Sequence, residues 1–256
     1  PLNQQDRSIL FTSKIAGQVQ TRVSGNQWDQ NDSISIYMYE GSFLNANSVL
    51  AEGFNKQFIT NRSGNFTPKS IFDKILFPKD KKVNFKAFYP YQKSDLFTRQ
   101  LNIQNQQDQS HIDYLFGKSS NTAGYSQGPI GLNFERIMSK ISLSIKGNGI
   151  QSVTAKFQGI ETEGVFNLEN GTLKQSSVFK EVEGKVIKSG EETIIEWIIF
   201  PGKLSKQSKL IFKNGNGTGD VYTWDIAKED IDYAAGNRYQ YSIVLGEEGE
   251  VVIKPN

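Results

Sequence analysis

The sequence contains no cysteine and a single histidine, His111. The first absence excludes disulfides, thiolate nucleophiles and cysteine-based zinc sites. The second excludes arrangements that need two imidazoles, the helical HExxH pair among them. No run approaches the roughly 18 consecutive apolar residues that a membrane-crossing helix requires. Charge of one sign is missing as well: 29 Lys and Arg stand against 27 Asp and Glu, a formal net charge of +2 over 256 residues. Such a balance gives no strong pull toward nucleic acid or anionic lipid, so neither is expected as a partner. The densest basic stretch, PKDKK at 78–82, reads as a solvated turn.

What is present is aromatic and turn-rich: 17 Phe, 10 Tyr and 3 Trp beside 23 Gly. With abundant Ser, Thr and Asn, that mixture suits short strands joined by tight turns. SILFTSKIAGQV (8–19) reads as a first strand with Ile9 and Phe11 on one face. In SISIYMY (33–39), Ile34, Ile36 and Met38 face one way and Ser35, Tyr37 and Tyr39 the other, the period of a half-buried strand. KKVNFKAFYPY (81–91) repeats the pattern until Pro90, which cannot donate to a ladder. QNQQDQS (104–110) offers no apolar side chain to bury, and GKSSNTAGYSQGP (117–129) reads as linker-like. Beyond it, Ile141, Leu143 and Ile145 begin a new alternating series. This places a domain boundary near 135, with domains over 1–135 and 136–256.

In the second half, GVFNLENGTLKQ reads as a hairpin whose Asn170-Gly171 is a type I′ turn candidate. TIIEWIIFPG (193–202) reads as a central strand buried on both faces. KLIFKNGNGTGDVYTWDI is a further hairpin, and AKEDIDYAAG is long enough for one helical turn. Many short strands with little helical periodicity predict an all-β chain of two antiparallel sandwiches.

Motifs that carry chemistry are poorly supported. GYSQG (124–128) matches the nucleophile-elbow spacing, but Gly, Ser and Asn precede it where a strand is required. FGKSS (116–120) lacks the upstream glycine of a phosphate loop, since that position falls on Ile112. DQNDS (29–33) has calcium-like oxygens, but Ile34 replaces the turn glycine, so an Asx-capped turn is expected. His111 stands near Asp113 and reads as a strand-edge histidine without chemical duty. The carboxylate pairs Asp29 with Asp32 and Glu161 with Glu163 have nothing that fixes a catalytic separation. Trp197 lies in an apolar strand and is expected in the core. Trp28 and Trp224 flank turns or alternate with polar residues, so they are candidates for stacking on a glycan. A surface carbohydrate-binding module is therefore the alternative function.

The order of the pieces says more than any one of them. ILFTSKI, TRVSGNQWDQNDSISIYMY, VNFKAFYPY, IDYLFG, NFERIMSKISLSI and AAGNRYQYSIVL follow one another along the chain. This order resembles the fimbrillin-like surface proteins of Bacteroidales over nearly the whole length. The resemblance implies two transthyretin-like β-sandwich domains in tandem, no enzymatic activity and no cofactor. It implies export as a lipoprotein precursor and a place at the cell surface, in the outer membrane or the fimbrium. Other fimbrial subunits are the implied partners, with adhesion to a host or bacterial surface protein or glycan. Arg136 in FERIMSK stands where the common FxHxLSK version has His. Pro1 opens the chain and the lipid-bearing Cys is absent, so an upstream segment is expected to have been removed. The chain ends soon after VVIKP, without the longer tail expected of a stalk subunit, which leaves tip, anchor or accessory roles open.

In that family an Arg-directed protease removes the first strand, and a strand from the next subunit fills the vacated groove. Arg22, after the first predicted strand and in a polar turn, is the candidate cleavage site here; Arg7 is the second. Physically, a sheet missing one strand leaves unpaired N–H and C=O groups along an apolar slot. A foreign strand satisfies both, and each large side chain it buries contributes roughly 1.5–3 kcal/mol.

Overall fold

Strands and short connections account for nearly all of the computed structural model. It describes residues 7–17, 27–125, 128–147, 152–190, 192–215, 219, 221–246 and 250–255. In chain order the strands are β1 (Phe11–Ile15), β2 (Gln30–Tyr39), β3 (Lys56–Asn61), β4 (Asn65–Pro68), β5 (Asn84–Tyr89), β6 (Thr98–Asn102), β7 (Leu115–Ser119) and β8 (Ile130–Arg136). They continue with β9 (Ser139–Lys146), β10 (Val153–Glu161), β11 (Glu163–Asn167), β12 (Thr172–Gln175), β13 (Phe179–Glu183), β14 (Lys185–Ser189) and β15 (Glu192–Ile199). The last are β16 (Gly202–Lys203), β17 (Lys209–Asn214), β18 (Val221–Trp224), β19 (Asp232–Tyr233), β20 (Arg238–Leu245) and β21 (Val251–Pro255). Helical structure among the described residues is confined to short 3-10 turns, including Ile226–Glu229, which overlaps the start of the expected helical turn. The chain is all-β.

Two compact units divide it, and the division is not one cut. Residues 1–99, 114–136 and 166–173 form the first; residues 100–113, 137–165 and 174–256 form the second. Strands β6, β11 and β12 each begin in one unit and end in the other.

In the first unit, β1, β4, β3, β2, β5, β7 and β8 are hydrogen-bonded in that order, and β8 returns to β1 to close the ring. Alternation supplies its interior: Phe11, Ile34, Ile36, Met38, Phe58, Phe66, Phe85, Ala87 and Phe134 point inward and are buried. The strand at 33–39 departs from the half-buried expectation. Residues 34–39 are buried on both faces, because Tyr37 on the outer side packs against Phe54 and Phe97. The outer face of β5 is covered in the same way, with Phe88 against Tyr114 and Phe166.

The two larger sheets of the second unit are β13-β10-β17-β18 and β14-β15-β9-β20-β21. Ile141, Leu143, Ile145, Ile195, Trp197 and Ile243 from one meet Val153, Ala155, Phe157, Leu210 and Phe212 from the other in a single core. β15 lies between β14 and β9, the central position expected from its apolar run. Trp197 is fully buried and donates Nε1–H to the Val182 carbonyl at 3.1 Å. The hairpin β11–β12 turns differently from expectation. Gly171 alone has φ in the left-handed region, at +73°, so the turn is not type I′, which needs positive φ at both central residues. Asn170 instead accepts from the Thr172 N–H and hydroxyl through its side-chain oxygen.

Candidate assembly site

β1 closes the ring of the first unit through two unequal edges. Against β8 it runs parallel over its whole length, Phe11 opposite Ile130 through Ile15 opposite Phe134. Ile130 N–H donates to Leu10 O at 2.9 Å and Ala16 N–H to Phe134 O at 2.8 Å, extending that edge. Against β4 it pairs antiparallel at two residues only, Phe11 with Phe66 and Thr12 with Asn65. Ile9 and Phe11 point inward and are 1% exposed each. The Phe11 ring meets Phe58 and Phe85 edge-on at 5.0 and 5.1 Å, a favourable aromatic geometry.

Where the β4 ladder stops, a side-chain relay takes over. Ser13 Oγ donates to the Gly64 carbonyl at 2.9 Å and accepts from Trp28 Nε1–H at 2.7 Å. Gly64 has φ +76°, and a Cβ there would lie 3.0 Å from Ser13 Oγ and 3.3 Å from Trp28 Cδ1. The turn before β4 therefore needs glycine both for its backbone and for this close approach.

This placement corrects the glycan expectation. Trp28 is 6% exposed, with Phe66, Tyr89 and Phe134 packed edge-on against it at 5.0 to 5.3 Å. Trp224 is 5% exposed, set against Tyr241, with Nε1 donating to Glu229 at 3.3 Å. Neither ring offers a face to a sugar. Their sequence neighbours Gln27, Asp29, Thr223 and Asp225 are exposed, which is why both looked exposed. The aromatic rings exposed among the described residues are Phe43, Phe72, Tyr125 and Phe179 instead. Their sequence surroundings carry no distinguishing signal.

Of the two candidate cleavage residues, Arg22 lies outside the described residues. Arg7 precedes β1 and is tied down: its Nη1 donates to Phe77 O at 3.0 Å, and Phe77 N–H donates to its carbonyl at 2.9 Å.

The remaining motif residues are engaged in structure. Asp32 accepts from Asp29 N–H at 2.7 Å and from the Tyr89 hydroxyl at 2.9 Å, an Asx-capped turn. Glu161 caps Ser177 N–H, and Glu163 accepts from Gln104 and Lys180. His111 pairs with Asp108, three residues earlier, at 2.7 Å rather than with Asp113, because the segment folds into a 3-10 turn. That contact holds the Asp108 carboxyl below its ordinary range. Ser126 of GYSQG lies outside the described residues. No group of three or more His, Asp or Glu among the described residues is placed to hold a metal ion.

A model of the fimbrillin-like family matches residues 21–256. The chain belongs to the fimbrillin-like family. Over 261 aligned residues it is 22% identical to the "Putative fimbrium subunit Fim1C" of Bacteroides uniformis, spanning 95% of this chain and 82% of that protein. Its fold is similar to a crystal structure of a "putative cell adhesion protein" from Bacteroides uniformis, with a TM-score of 0.77 at 21% identity. That likeness covers 100% of this chain and 98% of the other. A second such protein, from Bacteroides ovatus, gives 0.76 at 21% identity over 99% and 97% of the two chains. At this identity the structural likeness speaks for the fold alone. Fimbrillin-like proteins are fimbrial proteins, a kind that is not enzymatic.

Proposed function

We propose that this fimbrillin-like protein is a subunit or accessory protein of a bacterial surface fimbria, at its tip, anchor or stalk. It joins a neighbour when a foreign strand takes the place of β1. The reading includes two transthyretin-like sandwich domains whose main crossing lies near residue 135, with 100–113 and 166–173 exchanged across it, a lipid-anchored precursor at the outer membrane, and adhesion as the outcome. Other fimbrial subunits are its partners.

One observation carries this reading: β1 is the piece whose removal opens the ring. It is five residues long, holds β4 through only two of them, and comes before the rest of the unit in the chain. Without it, the inner edges of β8 and β4 would present unpaired backbone groups around the slot that Ile9 and Phe11 fill. A strand from a neighbour would restore both the ladder and the burial.

Cleavage after Arg22 serves this role and cleavage after Arg7 does not. A cut between β1 and β2 would leave β1 held by non-covalent contacts alone, whereas a cut after Arg7 leaves it attached to β2. Arg7 is also bonded on both backbone and side chain, which resists entry into a protease cleft. Treating the surface-exposed precursor with an Arg-specific protease and sequencing the new N-terminus tests this directly. The expected terminus is Val23; a chain left intact between β1 and β2 counts against it. With Trp28 and Trp224 in the core, the carbohydrate-binding alternative has lost the platform on which it rested.

A further inference from the structure

The relay beneath β1 has a chemical consequence. The indole Nε1–H of Trp28 can only donate, and the carbonyl of Gly64 can only accept. They sit 2.7 and 2.9 Å from one atom, Ser13 Oγ. A group bridging them must accept from one and donate to the other within the space of a small side chain, and among the amino acids a hydroxyl does this. Alanine or valine there would leave both without a partner, and a carboxylate, which only accepts, could not donate to the Gly64 carbonyl. The indole cannot swing to another acceptor, because Phe66, Tyr89 and Phe134 hold it edge-on.

We infer that Trp28 and Gly64 select the strand that occupies the place of β1. They require Ser or Thr at the third inward position, after a large apolar residue and an aromatic one. The inference rests on the proposed replacement of β1. The pattern is that of β1 itself: Ile9, Phe11 and Ser13 point inward, while Leu10 and Lys14 are exposed. The occupant this fits is a strand from a different subunit. The edge strand β21 of a second copy fits poorly, since VVIKP (251–255) contains neither Ser nor Thr in any register. Its alternate residues Val251, Ile253 and Pro255 would place a proline, without an N–H, against Trp28 and Gly64.

The full chain, nicked with an Arg-specific protease, is incubated with an excess of fluorescent peptides spanning residues 7–17. The peptides are native, Ser13→Thr, Ser13→Ala and Ser13→Val, with a further peptide spanning 250–256. Uptake is read by fluorescence anisotropy after removal of free peptide. The native and Ser13→Thr peptides are expected to enter with similar affinity, and the Ala and Val peptides about tenfold or more weaker. Equal uptake of all four 7–17 peptides overturns the hydroxyl requirement and leaves strand replacement standing. Uptake of the 250–256 peptide as tight as the native one overturns the choice of occupant. Failure of even the native peptide to enter overturns the replacement of β1, and this inference with it.

Discussion

The side-chain amide of Gln106 serves as a strand partner for Ile198. Its Nε2 donates to Ile198 O at 2.8 Å, and Ile198 N–H donates back to Oε1 at 2.8 Å. β14 pairs with β15 only as far as Glu196, so the amide continues the ladder where the neighbouring strand has ended. Gln109 adds a bond to the Glu196 carbonyl at 3.3 Å. Both glutamines are buried. Gln106→Ala leaves two buried backbone groups unsatisfied and is expected to cost about 2–4 kcal/mol. The urea midpoint at unchanged slope measures it, and a variant with a native midpoint would remove the amide's role.

Alkaline pH offers a second test. Burial pushes the hydroxyls of Tyr37, Tyr39, Tyr233 and Tyr241 above their ordinary value of 10.0. The unfolded chain therefore ionises first. Each tyrosine's contribution is fully present below pH 10 and is lost as pH rises from there through the folded value. Burial and the neighbouring Lys118 lower Lys86, which works the other way, since rising pH relieves the cost of its charge. Four tyrosines outweigh one lysine, so the urea midpoint should fall above pH 10, with phenolate absorbance appearing together with unfolding. Phenolate formation in the folded protein near pH 10 at all these sites would contradict the burial.

The tryptophans supply a third. Trp28→Ala and Trp224→Ala each empty a packed core site, and each is expected to lose about 3–5 kcal/mol of stability. Thermal melting reads the loss directly. Near-native melting in either variant would mean that its ring is not part of a core.

How much of this was legible in the sequence depends on the range of the interaction. Period-two alternation marked β2, β5 and β9, because which side chains point inward is a local property of the chain. The apolar run at 193–202 marked β15 as central for the same reason. The burial of β2 on both faces was not legible, since it depends on residues 54, 97 and 99 folding back over Tyr37. Nor was the run 104–110, whose polar side chains found partners on β15 that only the fold brings near. At the assembly site, the inward pair Ile9 and Phe11 could be read from alternation. The parallel pairing of β1 with β8, more than a hundred residues away, left no local trace. The function of Trp28 was hidden too: its hydrogen-bond partner Ser13 lies 15 residues earlier in the chain.

The most direct measurement is a cryo-electron-microscopy structure of a surface assembly containing this chain. The expected result is a strand of another subunit lying between β4 and β8, with side chains in the places of Ile9 and Phe11 and a hydroxyl between Trp28 and Gly64. Residues 11–15 of the same chain still seated there, joined to β2 and with every neighbour contacting the protein elsewhere, would contradict it.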